Sequence, residues 1–227
     1  AVPHIICGGF TREETENALI DLSFLGIDNV LLLRGDSEKH ESHFTPEPGG
    51  HAYALDLVEQ VVSMNSGTFL DDDLKGVEPT KFCIGVAGYP EKHFEAPNLN
   101  TDISFLKKKV DAGAQYIVTQ MFYDNQKYFD FVNRCRNAGI NVPIIPGLKP
   151  ISTKKQTAIL PKTFFIDIPD DLIQEIENSK SDDAVKQAGI EWAVAQAKEL
   201  IKFGVPCLHF YTMGNPENIR KIASQLF

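Results

Sequence analysis

The sequence lacks the features that mark membrane, secreted and metal-binding proteins. No run of eighteen apolar residues and no basic-then-apolar leader occurs in its 227 residues, so neither a membrane span nor a secretory signal is supported. Its four cysteines include no pair at metal-ligand or redox spacing, and we expect all of them to be reduced and buried: Cys7, Cys83, Cys135 and Cys207. These absences favour a cytoplasmic protein.

Positive charge is also scarce. The chain has 22 lysines and arginines against 31 acidic residues, a net charge of −9. Such a chain offers little general attraction to nucleic acid or to an anionic membrane, so we expect neither as a partner. An anionic ligand would need a local cluster of bases. The motifs of metalloproteases, serine hydrolases and P-loop enzymes are absent, and no Gly-x-Gly-x-x-Gly follows a strand pattern.

The chain does contain a repeated order of helix, glycine and strand. Four helical patterns end in a glycine that is followed by an apolar, strand-like run, at Gly26, Gly113, Gly139 and Gly204. Glycine suits the left-handed position after a helix because it has no Cβ to clash with the backbone. The repetition predicts a series of βα units.

On this basis the sequence predicts six βα units in a single domain covering residues 1–227. Strands are expected at 4–8, 30–33, 82–87, 116–120, 143–146 and 207–211. The first helix should begin at the capping box formed by Thr11 and Glu14. Helices are expected at 12–25, 52–65, 102–112, 125–138, in two pieces within 153–178, at 182–203 and at 216–226.

Polar side chains concentrate just after these strands, at Arg34, Asp36, Tyr89, Glu91, His93, Gln120, Asp124, Lys149 and Thr212. In a parallel barrel the carboxyl ends of all strands share one face, and the active site lies there. We therefore predict an α/β fold of the (β/α)8 TIM-barrel family. Six units do not close a barrel of eight, so we expect the first two units to be missing upstream of Ala1.

The loop that begins at Tyr89 has the sequence Tyr-Pro-Glu-Lys-His, which is rich in groups that hydrogen-bond, stack and titrate near neutral pH. It is either a binding loop or an ordinary surface loop. Lys109 follows Asp102 by seven residues, close to two helical turns, so both side chains can face the strand ends. The neighbouring Lys107 and Lys108 are more typical of a solvated helix face.

Three further residue types have an ordinary interpretation beside a functional one. The Gln120 amide can both donate to and accept from a heteroaromatic ring, and the aromatic residues after it either wall a flat ligand or fill the core. His4 and His209 lie in apolar strands, where a core histidine is the default interpretation. Lys149, at a strand end, is a candidate Schiff-base amine of a lyase or aldolase.

Eight motifs in order across nearly the whole chain resemble methylenetetrahydrofolate reductase. They are Pro3-His4, the Leu-Arg-Gly-Asp that ends at Asp36, Tyr53-Ala54 with Asp56-Leu57-Val58, Tyr89-Pro90-Glu91-x-His93, the Lys-Val-Asp-Ala-Gly-Ala that begins at Lys109, Thr119-Gln120-x-Phe122-x-Asp124, Ile145-Pro146-Gly147 and His209-Phe210-Tyr211-Thr212. Each is only moderately specific, but a chance match of all eight in order is improbable.

The resemblance implies a flavoprotein of one-carbon metabolism and methionine biosynthesis, an oxidoreductase acting on CH-NH donors. It would use FAD and either NADH or NADPH to convert 5,10-methylenetetrahydrofolate to 5-methyltetrahydrofolate. We also expect a homo-oligomer. The implied FAD contacts are His4, Arg34, Gly35, Asp36, Tyr53, Ala54, Ala87, Tyr89, His93, Ala96, Asp102 and Lys109. The implied folate contacts are Asp36, Gln120 and Gln156, of which Asp36 and Gln120 are also the implied catalytic residues.

The resemblance also assigns separate roles within these sets. Arg34, His93 and Lys109 would bind the pyrophosphate of FAD. Asp36 would lie near the pyrimidine edge of the flavin, where a fixed negative charge disfavours the anionic reduced form.

Two departures from the family pattern limit these expectations. The glutamate that acts as the acid in folate reduction belongs to a strand that would precede Ala1, so we expect the chain to be impaired. Asn215 stands where relatives carry an arginine, which puts an electrostatic contact to the folate tail in doubt. The alternatives are the aldolase that uses Lys149 and an inactive fragment that binds a partner through exposed strand edges.

Overall fold

The computed structural model describes residues 1–36, 43–214 and 216–227. Within these residues there are six strands and eight helices, with one helix after each strand except β5, which three helices follow. The strands are β1 His4–Ile6, β2 Asn29–Leu33, β3 Cys83–Gly88, β4 Tyr116–Met121, β5 Ile144–Leu148 and β6 His209–Phe210. The helices are α1 Arg12–Phe24, α2 Ala54–Asn65, α3 Leu99–Asp111, α4 Asn125–Asn137, α5 Gln156–Phe164, α6 Asp170–Asn178, α7 Asp182–Phe203 and α8 Glu217–Leu226.

The six described strands form one sheet in sequence order, from β1 to β6. The pairs β1–β2, β2–β3 and β5–β6 are parallel. In the first pair His4 is the partner of Leu31, and in the last pair Gly147 is the partner of His209. The prediction of an α/β fold with a parallel sheet is therefore confirmed, whereas the two upstream units of a complete barrel stay a prediction.

The described residues divide into two compact units. The first unit comprises Ala1–Ala87 and Phe105–Ile117, and the second comprises Gly88–Ser104 and Val118–Phe227. The expectation of a single domain stays a prediction. None of the helices in the described ranges is both long enough and apolar enough to cross a membrane.

Helix ends follow the predicted chemistry. Gly26, Gly113, Gly139 and Gly204 all have positive φ, at 72°, 128°, 79° and 93° respectively. The capping box is also present at the start of α1: the Glu14 backbone N–H donates to Thr11 Oγ1 at 3.2 Å, and the Thr11 N–H donates to Glu14 Oε2 at 2.8 Å. These local signals therefore set the helix boundaries as the sequence predicts.

Two helix starts differ from the prediction for reasons of capping. Helix α2 begins at Ala54, because Tyr53 is extended and its N–H donates to Asp56 Oδ2 at 3.0 Å. Helix α3 begins at Leu99, three residues earlier than expected, and Asn98 Oδ1 accepts the N–H of Thr101 at 2.9 Å. A carboxylate and an amide oxygen thus satisfy N–H groups that the helices leave unpaired.

In the first unit a tyrosine ring packs on a glycine of β3. A Cβ added to Gly85 would lie only 2.1 Å from Tyr116 Cζ, so no larger residue fits under the ring. The Tyr116 hydroxyl donates to the carbonyl oxygen of Val30 at 2.8 Å, and Val30 is fully buried. The contact joins β2, β3 and the start of β4 in one packed layer.

The second unit repeats this arrangement. Tyr211 donates from its hydroxyl to the carbonyl oxygen of Thr119 at 2.8 Å, and Thr119 Oγ1 accepts the N–H of Gly147 at 2.9 Å. A Cβ at Gly147 would lie 2.3 Å from the Thr119 carbonyl oxygen. Around this contact the core of the unit continues into α5, α6 and α7 through Met121, Tyr123, Ile151, Leu160, Ile166, Ile168, Leu172, Ile176, Val185 and Ala188.

The cysteine and histidine expectations are only partly confirmed. All four cysteines are free thiols, and Cys7 and Cys135 are buried, but Cys83 is half-buried and Cys207 is exposed. Cys207 is exposed because β6 begins only at His209, which leaves this cysteine in the connection after α7. His4 is exposed too, because β1 lies at the end of the strand order and pairs only with β2, so it is not a core histidine.

Candidate functional site

In the first unit Arg34, Gly35 and Asp36 follow directly on β2. The Arg34 carbonyl oxygen accepts the N–H groups of Cys7 at 3.1 Å and of Gly8 at 3.2 Å, which ties this turn to the residues after β1. The Arg34 guanidinium lies over the Phe44 ring, with Cζ 5.1 Å from the ring centroid. Asp36 is exposed. The turn thus holds a cation and a carboxylate at the carboxyl end of a buried strand.

Gly35 is in the left-handed region, with φ of +89°. A Cβ at this position would lie 3.6 Å from Ile6 Cβ and 3.8 Å from the backbone nitrogen of Gly8, which is ordinary contact. Glycine is therefore required here by the backbone conformation and not by a lack of space. A turn of this kind leaves the backbone open to close approach by a ligand.

The three consecutive lysines of α3 make different contacts, as predicted. Lys109 Nζ donates to the carbonyl oxygen of Ala87 in β3 at 3.0 Å. Lys107 instead pairs with Asp111 on the same helix, and exposed Lys108 lies over the Phe105 ring, with Nζ 5.3 Å from the centroid. Only Lys109 of the three is thus shown reaching the strand, where its ammonium is, with Arg34, one of two cations at strand ends of the first unit.

Tyr53 and Ala54 lie at the start of α2. Tyr53 is 64% exposed and is the extended residue before the helix, while Ala54 is the first helical residue. A phenol ring held at a helix start and open to solvent can stack on a flat ligand.

In the second unit the loop after β3 brings together four of the predicted site residues. The His93 backbone N–H donates to Asp102 Oδ2 at 2.9 Å, so the carboxylate of α3 holds this loop. The Tyr89 and His93 rings meet edge to face, with centroids 4.8 Å apart. The N–H of buried Ala96 donates to the His93 carbonyl oxygen at 3.0 Å. Asp102 therefore binds the backbone of the loop. The spacing of Asp102 and Lys109 in the sequence did not predict this role.

Gln120 and Gln156, the predicted folate contacts in this unit, both use their side-chain carbonyl within the protein. Gln120 Oε1 accepts the N–H of Met121 at 2.9 Å. Gln156 opens α5, and its Oε1 accepts the N–H groups of Ser152 at 2.7 Å and Thr153 at 3.3 Å. A ligand of either residue would therefore meet the Nε2 amide group.

Glu91 is a buried acid to which sequence reasoning gave no role. Its side chain is 8% exposed, and Oε2 accepts the backbone N–H of Asp167 at 3.1 Å. Lys127 Nζ lies 3.8 Å from Glu91 Oε2 and 3.2 Å from Asp167 Oδ2. Burial raises the pKa of Glu91 to about 7. The sequence carried no signal for this cluster, since Asp167 is 76 residues from Glu91.

Lys149 directly follows β5 and is buried, and burial lowers the pKa of its ammonium group. The lysine thus has the environment that a nucleophilic amine needs. The Asn215 expectation lies outside the described residues. Among the residues that the structure describes, no group of three or more histidines, cysteines and acids is placed to hold a metal ion.

The first unit also contains a polar cleft between α1 and α2 with a volume of about 320 Å³. Buried His51 lies in its wall, with Nε2 2.5 Å from Gln60 Oε1, and Gln60 Nε2 donates to the carbonyl oxygen of Arg12 at 2.9 Å. None of the predicted site residues lines this cleft. The predicted residues lie instead in the strands or just after them, at the starts of α2 and α5, and on α3.

Comparison with known proteins gives one consistent result. The family profile of methylenetetrahydrofolate reductase matches residues 1–227. Methylenetetrahydrofolate reductase (NADH) 1 of Arabidopsis thaliana is 40% identical in an alignment of 220 residues that covers 92% of this chain and 35% of that protein. The 5,10-methylenetetrahydrofolate reductase of Escherichia coli K12 is 36% identical over 218 residues, which is 96% of this chain and 67% of that protein.

The chain thus spans about a third of the length of its plant relative and about two thirds of its bacterial one. Among solved structures, an uncharacterized protein from Clostridium thermocellum that binds two copies of 5-methyl-5,6,7,8-tetrahydrofolic acid has a similar fold, with a TM-score of 0.59 and 19% identity. The match covers 98% of this chain and 70% of that one. At this identity the likeness concerns the fold.

Proposed function

The chain belongs to the methylenetetrahydrofolate reductase family, and on that premise we propose that the protein reduces 5,10-methylenetetrahydrofolate to 5-methyltetrahydrofolate. The observation that carries this proposal is the family match over all 227 residues. The relatives from a plant and a bacterium bear the name of this activity. The plant relative is named for NADH, and either NADH or NADPH would serve here as the hydride donor.

The first unit suits an anionic cofactor such as FAD. Arg34 and Lys109 place two cations at the ends of β2 and β3, in a protein whose net charge is −9. Left-handed Gly35 lies next to Arg34 and leaves backbone open to phosphate oxygens. The remaining proposed FAD contacts of this unit are His4, Asp36, Tyr53, Ala54 and Ala87. Together these residues would hold FAD, which would supply hydride transfer from the nicotinamide donor to the folate.

In the second unit the proposed FAD contacts are Tyr89, His93, Ala96 and Asp102. The His93 imidazole adds a third base, and the bond from its backbone N–H to Asp102 fixes the loop that carries it. Asp102 is therefore proposed to orient the loop, while His93 supplies the group that binds phosphate. Because the Asp102 carboxylate holds the loop, the position of the His93 imidazole does not depend on the loop's own rigidity.

Folate binding is assigned to Asp36, Gln120 and Gln156. Since Oε1 of Gln120 already accepts from Met121, its Nε2 amide group is available to donate to an acceptor on the pterin. Gln156 would act in the same way from the first turn of α5. Asp36 carries a fixed negative charge that disfavours an anionic reduced flavin nearby, so it would tune the potential as well as contact the folate.

Several expectations remain proposals. That residues 1–227 alone turn over folate at a negligible rate stays a prediction. A cytoplasmic location and a homo-oligomeric state are proposed on the same footing. The inactive, partner-binding alternative would be favoured if size-exclusion chromatography showed association that rises with concentration while the protein bound no flavin.

The test uses the full-length protein. Its visible spectrum should show bound flavin, NADH or NADPH should bleach that spectrum, and 5,10-methylenetetrahydrofolate should restore it with formation of 5-methyltetrahydrofolate. Arg34→Gln should lower FAD affinity by about tenfold through loss of a charge-assisted contact. Arg134→Gln, at an exposed position of α4, is the matched control. A colourless protein that takes up no added FAD would overturn the cofactor proposal.

The burial of Lys149 favours one second candidate, a flavin-free lyase or aldolase. In that case the Lys149 amine attacks a substrate carbonyl and water leaves as the Schiff base forms. Borohydride treatment in the presence of oxo-acid substrates should then add mass to the peptide that contains Lys149. The absence of an adduct, compared with a Lys149→Met control, removes this candidate.

A further inference from the structure

The connection between α5 and α6 is fastened to the loop after β3 at three points, all within the second unit. The Asp167 backbone N–H donates to Glu91 Oε2 at 3.1 Å. Lys127 lies between the carboxylates of Glu91 and Asp167, at 3.8 Å and 3.2 Å. The Phe165 ring stacks on the Phe94 ring, with centroids 4.9 Å apart and planes inclined by 17°. We call these contacts the latch.

Phe165 takes an unfavourable conformation to make its contact. It is the C-cap of α5 and is left-handed, with φ of 54° and ψ of 46°. A non-glycine residue in this region costs about 1 kcal/mol or more. Phe165 is 55% exposed and Phe94 is 46% exposed, so burial alone does not hold the two residues together. The strained turn therefore persists because neighbouring contacts fix the segment.

We propose that Glu91 is a positioning residue of the folate site. Its side chain closes this latch and thereby fixes α5 and its first residue, Gln156. The proposal rests on the proposed function for the role of Gln156. Phe164, the last residue of α5, lies beside Phe165 and lines a small cavity with Tyr89, Glu91 and Gln120. Movement of the latch therefore changes both ends of α5 and the surroundings of Gln120.

The charges around Glu91 give the latch a pH dependence. Lys127 of α4 and Asp167 of the α5–α6 connection face it, and Asp124 acts on Lys127 from the N-cap of α4. On its own loop, Lys92 Nζ donates to the Ala96 carbonyl oxygen, and His93 and Glu95 lie within 3.8 Å of each other. Glu91 Oε1 is buried and has no hydrogen-bond partner among the described residues.

Protonation of Glu91 removes a charge that burial disfavours, and Oε2 still accepts the N–H of Asp167. It also weakens the longer pair of Lys127 with Glu91, while the shorter pair of Lys127 with Asp167 stays in place. Ionisation favours release of the side chain into water, which opens the latch. The burial that raises the pKa of Glu91 to about 7 places this change near neutral pH. The latch is therefore closed below this pH and loosens above it.

The test is site-resolved hydrogen exchange of the Asp167 amide in the full-length protein, between about pH 5.5 and about pH 8.5, corrected for intrinsic rates. We expect its protection to fall about tenfold across this range in the wild type. Glu91→Gln keeps an acceptor without the charge, so protection should stay high at every pH. Glu91→Ala should lose it throughout. Glu175→Gln, at an exposed position of α6, should behave as the wild type.

The steady-state readout separates positioning from catalysis. Glu91→Ala should raise KM for the folate by about tenfold with kcat changed far less, and Phe165→Gly should do the same while relieving the strained backbone. The latch proposal is overturned if Glu91→Ala leaves the protection of the Asp167 amide unchanged. It is also overturned if that protection depends on pH in Glu91→Gln. Lost protection with an unchanged KM overturns the positioning role. Hydrogen exchange needs no substrate, so a protein that proves inactive on folate refutes the proposed function without affecting the test of the latch. If Glu91→Ala does not fold, the pH dependence of Asp167 protection in Glu91→Gln still tests the latch.

Discussion

Lys109 Nζ donates to the carbonyl oxygen of Ala87 at 3.0 Å, so an ammonium from α3 lies against the end of a strand. The bond uses one of the three N–H groups of the lysine. An anion bound at the same place would receive a donor that is already held in position, and little side-chain entropy would be lost on binding. The carbonyl thus acts as a support for the cation.

Lys109→Gln should weaken FAD binding by about tenfold, because a charge-assisted contact to phosphate is replaced by a neutral one. Quenching of flavin fluorescence during titration of the apoprotein measures this affinity. Lys108→Gln is the matched control, since Lys108 is an exposed residue next in sequence. Equal affinities for the two variants would remove Lys109 from the set of FAD contacts.

Much of the fold was predictable because its signals are local. A glycine after each of four helices, a capping box and short apolar runs fix the order of elements, since each acts over a few residues. The prediction that Lys109 alone of three lysines faces a strand was also local, because it required only helical periodicity. Boundaries were less accurate where capping by Asp56 and Asn98 moved a helix start.

What the sequence could not predict depends on contacts between distant residues. Glu91 acquires its partner from a residue 76 positions away, and no pattern near Glu91 announces it. The ring stack of Phe94 and Phe165 likewise joins two separate loops. Gln156 was proposed through family resemblance, but no pattern near it predicted that its side chain accepts the N–H groups of Ser152 and Thr153. Tertiary packing therefore decides the chemistry of the second unit.

Gly85→Ala should destabilise the protein by about 2 to 3 kcal/mol, because the added methyl overlaps the Tyr116 ring, whose Cζ would be 2.1 Å from it. The free energy of unfolding in urea measures this cost. In a Tyr116→Ala background the ring is absent, and Gly85→Ala should then cost under about 1 kcal/mol. Additive costs in the double variant would show that the ring does not determine the need for glycine.

Glu91→Gln should make the protein more stable at high pH. The raised pKa of about 7 means that the folded state favours protonated Glu91. The contribution of protonated Glu91 to the free energy of unfolding is thus fully present below the ordinary glutamate pKa of about 4.5, and it is lost as the pH rises through about 7. The variant has no such loss, so its advantage should grow over this range to the order of 2 to 3 kcal/mol.

Urea denaturation of both proteins at a series of pH values measures this difference, and groups common to both cancel. Glu175→Gln removes an exposed glutamate of the same unit and should show no growing advantage. A constant difference between Glu91→Gln and the wild type would mean that Glu91 ionises as it does in the unfolded chain.

Thiol labelling should distinguish the four cysteines in the order of their exposure. Cys207 is exposed and should react first with iodoacetamide, and half-buried Cys83 should follow. Burial raises the pKa of both Cys7 and Cys135 to about 12, so almost none of the reactive thiolate forms at neutral pH and these two should react only in denaturant. Peptide mass spectrometry over time gives each rate, and Cys207→Ser should remove only the first label. Early modification of Cys135 would contradict the packing of α4, because that thiol is fully enclosed in the folded chain.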